Sequence, residues 1–141
     1  MNKYYIASGL ENAAAVRELK QILDEAGWHH TYDWTVHGSV YGEGADRLAE
    51  VAAAESAGVI DAEVVVALLP GGRGTHTELG MAIACGEFDI GTEDRVRICV
   101  YSATPEKDFG TNGTTCAFYH HPLVERFSDM SEMINSLLGA S

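Results

Sequence analysis

The sequence predicts an α/β protein in which helices cover a parallel β-sheet. Apolar runs typical of strands alternate along the chain with stretches of helical periodicity, which favours parallel strands joined by right-handed crossovers. Residues 63–69 are apolar almost throughout, as expected for a strand that is buried on both faces. A glycine-rich turn follows this run and leads into a helical pattern. Open parallel sheets place their pockets at such turns, beyond the carboxyl ends of the strands.

The amino-terminal part has the pattern of a β-α-β unit. Residues 3–7 form a short apolar and aromatic run, and residues 11–26 place apolar side chains at helical spacing. Gly27 ends this helix in the manner of a left-handed cap, and the aromatic residues in 28–34 predict a second strand. Residues 36–44 contain three glycines and predict a mobile loop of the kind that often covers a pocket.

The remainder continues the alternation of helices and strands. The predicted elements are a helix over 46–57, a strand over 63–69, a helix over 75–85, a strand over 96–101 and a helix near 130–138. The polar stretch over 102–121 is too long for an ordinary connection. We therefore expect it to be a loop that is either functional or disordered.

Composition limits the class of protein. A chain of 141 residues predicts a single domain over 1–141, and no apolar run approaches the ~20 residues that cross a bilayer. The opening residues lack the layout of a secretion signal, so we expect a soluble cytoplasmic protein. The net charge of −12 argues against nucleic-acid polymers and anionic membranes as partners. A small-molecule ligand is the expected partner.

Cysteine and histidine spacing does not indicate a metal site. The three cysteines, Cys85, Cys99 and Cys116, are predicted to be reduced and structural. The six histidines also lack the spacing of metal ligands. We therefore expect no metal and no organic cofactor.

Residues 64–80 contain the pattern most informative about chemistry. Glycines at 71, 72 and 74 expose backbone to a ligand, and the helix that follows offers unpaired N–H groups. The spacing matches neither the lysine-containing phosphate loop nor the dinucleotide fingerprint. Gly71, Gly72, Arg73, Gly74 and Thr75 are the predicted substrate-binding residues of this turn.

Glu78 has two interpretations. In the first, Thr75 caps the helix and Glu78 completes a capping box by reaching back to the Thr75 N–H group. In the second, its carboxylate faces the pocket and attacks the anomeric carbon of a sugar. Glu55, on the preceding helix, is either a second carboxylate of the site or a solvated side chain.

The chain resembles the nucleoside 2-deoxyribosyltransferase family from about residue 3 to residue 101. The resemblance rests on Tyr4-Tyr5-Ile6-Ala7-Ser8-Gly9, Glu55-Ser56-Ala57-Gly58-Val59 and Gly74-Thr75-His76-Thr77-Glu78-Leu79-Gly80. It implies a flavodoxin-like three-layer sandwich with a central parallel sheet of about five strands. It also implies that Glu78 forms a covalent deoxyribosyl intermediate.

The same resemblance implies roles for other residues. Tyr5 would orient Glu78, and Glu55 would replace a pocket aspartate. Ser8, Gly9, Asp33 and Trp34 would line the base or sugar site. The sequence departs from many family members at Gly72, where they carry an acidic residue that helps to protonate the leaving base. Relatives also assemble into oligomers in which a carboxyl-terminal loop completes a neighbouring pocket, and residues 111–121 would be that loop here.

Residues 70–78 are also similar to the P-G-G-x-G-T-x-x-E motif of the phosphoribohydrolases that release cytokinin bases. This similarity implies hydrolysis of a nucleoside 5′-monophosphate, in which Arg73 either holds the phosphate or faces solvent. Three hypotheses follow: a deoxyribosyltransferase-like enzyme, a nucleotide N-glycosidase that uses water, and a non-catalytic nucleotide-sensing module. The first two share cleavage of an N-glycosidic bond.

Overall fold

The computed structural model describes residues 2–139, so Met1, Ala140 and Ser141 of the predicted 1–141 domain lie outside the described part of the chain. Five strands form one sheet in which every neighbouring pair is parallel. The strands are β1 (Lys3–Ser8), β2 (His29–His30), β3 (Val64–Leu68), β4 (Arg97–Tyr101) and β5 (Val124–Phe127). Their order across the sheet is β2-β1-β3-β4-β5.

Helices cover both faces of the sheet. They are α1 (Ala13–Glu25), α2 (Ala45–Asp61), α3 (Arg73–Phe88), the single turn α4 (Pro105–Asp108) and α5 (Met130–Leu137). Side chains of α1 and α5 meet around a small surface groove on one face, and α2 packs beside α3 on the other. The predicted flavodoxin-like, three-layer fold with a five-stranded parallel sheet is confirmed.

The buried core follows the apolar runs of the sequence. All five residues of β3 are buried, as the continuous apolar pattern predicted. Four consecutive residues of β1, Tyr4 to Ala7, are completely buried, because helices pack on both faces of this strand. Leu79, Ala82 and Ile83 of α3 complete the core on the α2 side.

Several predicted boundaries were wrong. The second strand contains only His29 and His30, because it pairs with β1 alone and the Asp33 carboxylate then caps a 3-10 turn over Trp34–Val36. Strand β5 is short and half exposed, and the sequence pattern did not identify it. Residues 102–121 are not a continuous loop, since they contain α4 and a 3-10 turn over Ala117–His120.

No helix within residues 2–139 combines the length and apolar character needed to cross a membrane. Cys85, Cys99 and Cys116 form no disulfide bond, and Cys99 is buried in β4.

Candidate functional site

A cavity of about 450 Å³ opens at the carboxyl ends of β1 and β3. The chain leaves β1 through α1 towards β2, then returns through α2 to β3 on the other side of β1. The two crossovers therefore diverge at this point, which is where open α/β sheets form a crevice. The Gly9 N–H donates to the Pro70 carbonyl at 3.2 Å and joins the turns that follow the two strands.

Glu78 lies in the wall of this cavity and is only 8% exposed. It is the sixth residue of α3, whose amino-terminal cap is Gly72 rather than Thr75. The Tyr5 hydroxyl donates to Glu78 Oε2 at 2.8 Å. The capping-box interpretation is therefore wrong, because the cap of the helix lies three residues before Thr75 and Glu78 bonds to a neighbouring strand.

Tyr5 reaches Glu78 because successive side chains of a strand point to opposite faces of the sheet. The Tyr4 hydroxyl donates to Asp24 of α1 at 2.7 Å, on one face. On the other face, the Tyr5 hydroxyl lies 2.8 Å from Glu78 and 3.3 Å from Glu55 Oε2. One buried phenol therefore lies between the two carboxyl groups.

Glu55 lies within α2 and is half-buried in the wall of the same cavity. The close approach of α2 to β1 depends on Gly58, one turn further along the helix. A Cβ at Gly58 would lie 2.9 Å from the Tyr32 Cβ and 3.1 Å from the Tyr5 Cδ2. A glycine at this position thus lets the helix bring Glu55 next to Tyr5.

Burial has the largest effect on the pKa values of Glu78 and Tyr5. Removal from solvent, and next the negative charge of Glu55, raise the pKa of Glu78 to about 8, although the hydrogen bond from Tyr5 acts in the opposite direction. Burial, followed by the charges of Glu78 and Glu55, raises the pKa of Tyr5 above its ordinary range, so its phenol remains protonated. The Glu78 carboxyl group thus retains its proton near neutral pH.

The glycine turn before α3 forms another wall. A Cβ at Gly71 would collide with the Thr75 side chain, which is buried. By contrast, no atom lies within 4 Å of the Cβ position at Gly72 or Gly74, so these two glycines face open space. Arg73 is exposed at the cavity, and no carboxylate of the described residues lies within ion-pair distance of it.

The structure brings together most of the residues that the sequence singled out. Those that line the cavity are Ser8, Gly9, Trp34, Glu55, Gly71, Gly72, Arg73, Gly74, Thr75 and Glu78. Tyr5 lies behind this surface and contacts Glu78. Asp33 is not part of the lining, because its carboxylate accepts from the Thr35 N–H at 3.0 Å and caps the local turn. The expectation that Asp33 lines the pocket is therefore not met.

Other parts of the lining were not predicted as site residues. Glu11 of the turn after β1 and Leu48, Val51 and Ala52 of α2 border the cavity. The apolar residues of α2 were not distinguished from the core because both follow the same helical periodicity. Residues 37–41 also border the cavity, which agrees with the expectation that the glycine-containing loop lies over a pocket.

His76, from the same motif as Glu78, connects the glycine turn to the carboxyl-terminal part of the chain. Its Nδ1 lies 2.7 Å from the Gly72 carbonyl, and its Nε2 lies 2.6 Å from the Tyr119 hydroxyl. A neutral ring that donates from Nδ1 and accepts at Nε2 satisfies both contacts. Tyr119 is buried, so His76 fixes the cap residue of α3 against an ordered segment.

Within residues 2–139, no three histidine, cysteine, aspartate or glutamate side chains are placed to hold a metal ion. The fold and cavity thus define a flavodoxin-like α/β protein with a paired-carboxylate pocket at its switch point.

Comparison with known proteins identifies a solved structure of similar fold. No protein-family model and no curated protein sequence matches the chain. Among solved structures, the chain is similar to the CMP N-glycosidase BcmB of Clostridium botulinum, with a TM-score of 0.57 and 16% sequence identity. The similarity covers 96% of each chain. At this identity, the similarity is one of fold.

Proposed function

We propose that the protein is an enzyme that hydrolyses the N-glycosidic bond of a nucleoside or nucleotide, with Glu78 as the nucleophile. The observation that most strongly supports this function is the buried Glu78 carboxyl group, which receives a hydrogen bond from Tyr5 and faces the cavity. The similarity of fold to an enzyme that acts on the N-glycosidic bond of CMP adds support, and it favours water as the acceptor.

The size and composition of the cavity suit such a substrate. Its volume of about 450 Å³ falls within the range of ~300–1,000 Å³ that is usual for small-molecule sites. Trp34, Val40 and Leu48 supply apolar surface for a flat base. Glu55 and Glu78 supply the polar groups near which the sugar would react.

The distance between the two carboxyl groups supports a covalent mechanism. Since both lie within hydrogen-bonding distance of the Tyr5 hydroxyl, the oxygens that face it are no more than about 6 Å apart. Inverting glycoside hydrolases hold their carboxyl groups ~6.5–9.5 Å apart to fit a water molecule between the base and the sugar. The closer spacing here favours direct attack by one carboxylate.

In the first step, the ionised Glu78 attacks C1′ while the C1′–N bond breaks and its electron pair leaves with the base. We propose Glu55 as the acid that protonates this base, because Gly72 provides no side chain for the purpose. In the second step, water attacks C1′, the bond to Glu78 breaks, and Glu55 accepts the proton from water. The two displacements together retain the configuration at C1′.

Tyr5 would control where the shared proton resides. The raised pKa of Glu78 keeps the proton on the nucleophile near neutral pH, and this carboxyl group must ionise before it attacks. The Tyr5 hydroxyl lies between the carboxyl groups, so it can donate to Glu78 while accepting from Glu55. Positive charge that develops on the sugar in the transition state favours an ionised Glu78, and therefore favours the state in which Glu55 carries the proton.

A transferase is the second candidate, and the hydrogen bond from Tyr5 to Glu78 supports it because the deoxyribosyltransferase resemblance assigns these two residues to one reaction centre. In that reaction a second base replaces water in the second step.

The two candidates are separated by product analysis. The purified protein is incubated with cytidine, deoxycytidine and their 5′-monophosphates, each with and without free adenine, and the products are resolved by chromatography. We expect free cytosine in the absence of adenine. A new adenine nucleoside or nucleotide would instead establish transfer. If panels that also contain purine and thymine compounds release no base, the proposed function is wrong, and ligand binding without turnover would indicate a sensing module.

A further inference from the structure

The glycine turn at residues 71–74 forms a wall of the cavity, and Arg73 is its only residue with a large side chain. Gly72 and Gly74 are exposed, and no atom lies within 4 Å of the Cβ position of either residue. Glycine loses more conformational freedom on folding than any other residue, so ordering such a turn has a high entropic cost. A turn that meets a substrate in one conformation therefore needs a restraint from a neighbouring part of the chain.

His76, the fourth residue of α3, restrains the residue that caps this helix. The His76 N–H donates to the Gly72 carbonyl at 3.2 Å, and the ring Nδ1 lies 2.7 Å from the same oxygen. Because a carbonyl group can only accept, Nδ1 carries a proton. The Nε2 of the neutral ring is then an acceptor, and the Tyr119 hydroxyl donates to it at 2.6 Å.

Tyr119 is itself held by the carboxyl-terminal part of the chain. Its side chain is buried, and its ring packs edge-on against Phe109 with the ring centroids 6.0 Å apart. Its carbonyl accepts from Arg126 Nη1 at 3.0 Å. Burial raises the pKa of Tyr119 to about 12, so the phenol keeps the proton that it donates to His76. This hydrogen bond therefore connects the exposed turn to a buried segment.

We infer that His76 is a positioning residue, which holds the glycine turn in its substrate-binding conformation through the hydrogen bond from Tyr119. The inference rests on the proposed function and adds a residue that supports its site. With this bond in place, the substrate meets an ordered turn, and binding does not have to supply the cost of ordering it. Tyr5 and Glu78 bond directly to each other. Loss of the Tyr119 bond should therefore weaken substrate binding and leave the chemical step nearly unchanged.

Tyr119→Phe removes the hydroxyl group and keeps the ring that packs against Phe109. KM for the nucleoside or nucleotide that the protein cleaves should rise about fivefold, the effect of one hydrogen bond, while kcat changes less than about twofold. Tyr4→Phe is the matched control, since Tyr4 is also buried and donates to Asp24 on the opposite face of the sheet from Glu78. It should lower the melting temperature to a similar extent without changing KM.

His76→Asn tests the same bond from its other end, because asparagine keeps a donor near the Gly72 carbonyl and is too short to reach Tyr119. It should raise KM as much as Tyr119→Phe does, and the double variant should raise KM no further. The inference is overturned if the two effects multiply in the double variant. It is also overturned if neither single change raises KM, or if Tyr4→Phe raises KM equally.

Hydrogen exchange tests the restraint without catalysis. The His76 N–H donates to the Gly72 carbonyl, so the exchange rate of this amide, followed by NMR, reports opening of the turn. Tyr119→Phe should accelerate the exchange about fivefold, and Tyr4→Phe should leave it unchanged. If the wild type releases no base but the exchange is accelerated as expected, the proposed function fails and the restraint on the turn stands. If base is released but Tyr119→Phe leaves the exchange at the wild-type rate, the inference fails and the proposed function stands.

Discussion

Glu78 combines two features that have opposite effects on its charge. Burial and the neighbouring Glu55 favour its protonated form, whereas the hydrogen bond that Tyr5 donates favours the carboxylate. A carboxyl group with these neighbours is costly to ionise and therefore reactive once ionised. Perturbed carboxyl groups of this kind cluster at functional sites, which agrees with the proposed role as nucleophile.

Glu78→Gln tests that role, because it preserves the shape of the side chain and removes the nucleophilic oxygen pair. We expect turnover to fall by at least ~100-fold while the melting temperature at pH 7 stays within a few degrees of the wild type. Chromatography of the released product measures turnover, and circular dichroism during heating measures the melting temperature. A variant that unfolds extensively but keeps its activity per folded molecule would contradict the proposal.

The same substitution has a pH-dependent effect on stability. The pKa of Glu78 is higher in the folded state than in the unfolded chain, so the folded state binds a proton more tightly. The contribution of protonated Glu78 to the free energy of unfolding is therefore present at low pH and is lost as the pH rises through about 8. Glu78→Gln resembles the protonated form at every pH. The melting temperature of Glu78→Gln minus that of the wild type should therefore increase between pH 5 and pH 8.5. A difference that stays constant with pH would contradict the raised pKa of Glu78.

Tyr5 and Tyr4 provide a matched pair of substitutions, since both are completely buried and each donates to a carboxylate. Tyr5→Phe removes the bond that lowers the pKa of Glu78, so turnover at pH 7 should fall about tenfold or more. The alkaline limb of the pH–rate profile, which reports loss of the shared proton, should move to higher pH. Tyr4→Phe should cost about 1 kcal/mol of stability and leave the profile unchanged. Equal kinetic effects of the two changes would exclude a specific role for Tyr5.

The helices bring the two carboxyl groups to Tyr5 through close packing. Glu55 and Gly58 are one turn apart on α2, so the face that presents the carboxyl group also presents the small residue that contacts β1. On α3, the six residues from Arg73 to Glu78 place the nucleophile beyond the first turn and turn it towards β1. His76 and Tyr119 fix the start of the same helix.

Gly58→Ala should separate α2 from β1. The new methyl group would lie 2.9 Å from the Tyr32 Cβ and 3.1 Å from the Tyr5 ring, so we expect a loss of about 1–3 kcal/mol and reduced turnover. Gly80→Ala is the control, because Gly80 lies in α3 with no atom within 4 Å of its Cβ position. That change should stabilise the protein by about 0.5–1 kcal/mol. Chemical denaturation measures the free energy of unfolding of both variants. Equal changes in this free energy would show that the contact between α2 and β1 at Gly58 is not tight.

The arrangement of the whole molecule determines where the cavity forms. The strand order places β1 between β2 and β3, so the crossovers through α1 and α2 diverge on opposite faces. The cavity at their divergence has walls from the turn after β1, the loop at residues 37–41, α2 and the start of α3. Residues distant in sequence thereby surround one reaction centre.

Oligomerisation remains a prediction for the molecule as a whole. Residues 111–121 do not line the cavity of their own chain, and Phe118 in this segment is 58% exposed. We expect a homo-oligomer in which this segment of one subunit completes the cavity of the next. Size-exclusion chromatography with light scattering checks the mass, and a fully active monomer would contradict this expectation.

Burial on both faces and helical periodicity leave local patterns, so the sequence was sufficient to predict the order of most strands and helices and to place Glu78 in the helix after the glycine turn. It could not distinguish the apolar lining of α2 from the core, identify β5, or exclude Asp33 from the cavity. These depend on packing between distant elements and on whether a polar group is satisfied locally, as Asp33 is by Thr35. The resemblance implied that Tyr5 orients Glu78, but the three-dimensional packing was needed to show that the same hydroxyl also bonds to Glu55 and that Glu11 borders the cavity. Strand pairing and helix packing set the distances between residues far apart in the chain, and local sequence patterns do not contain these distances.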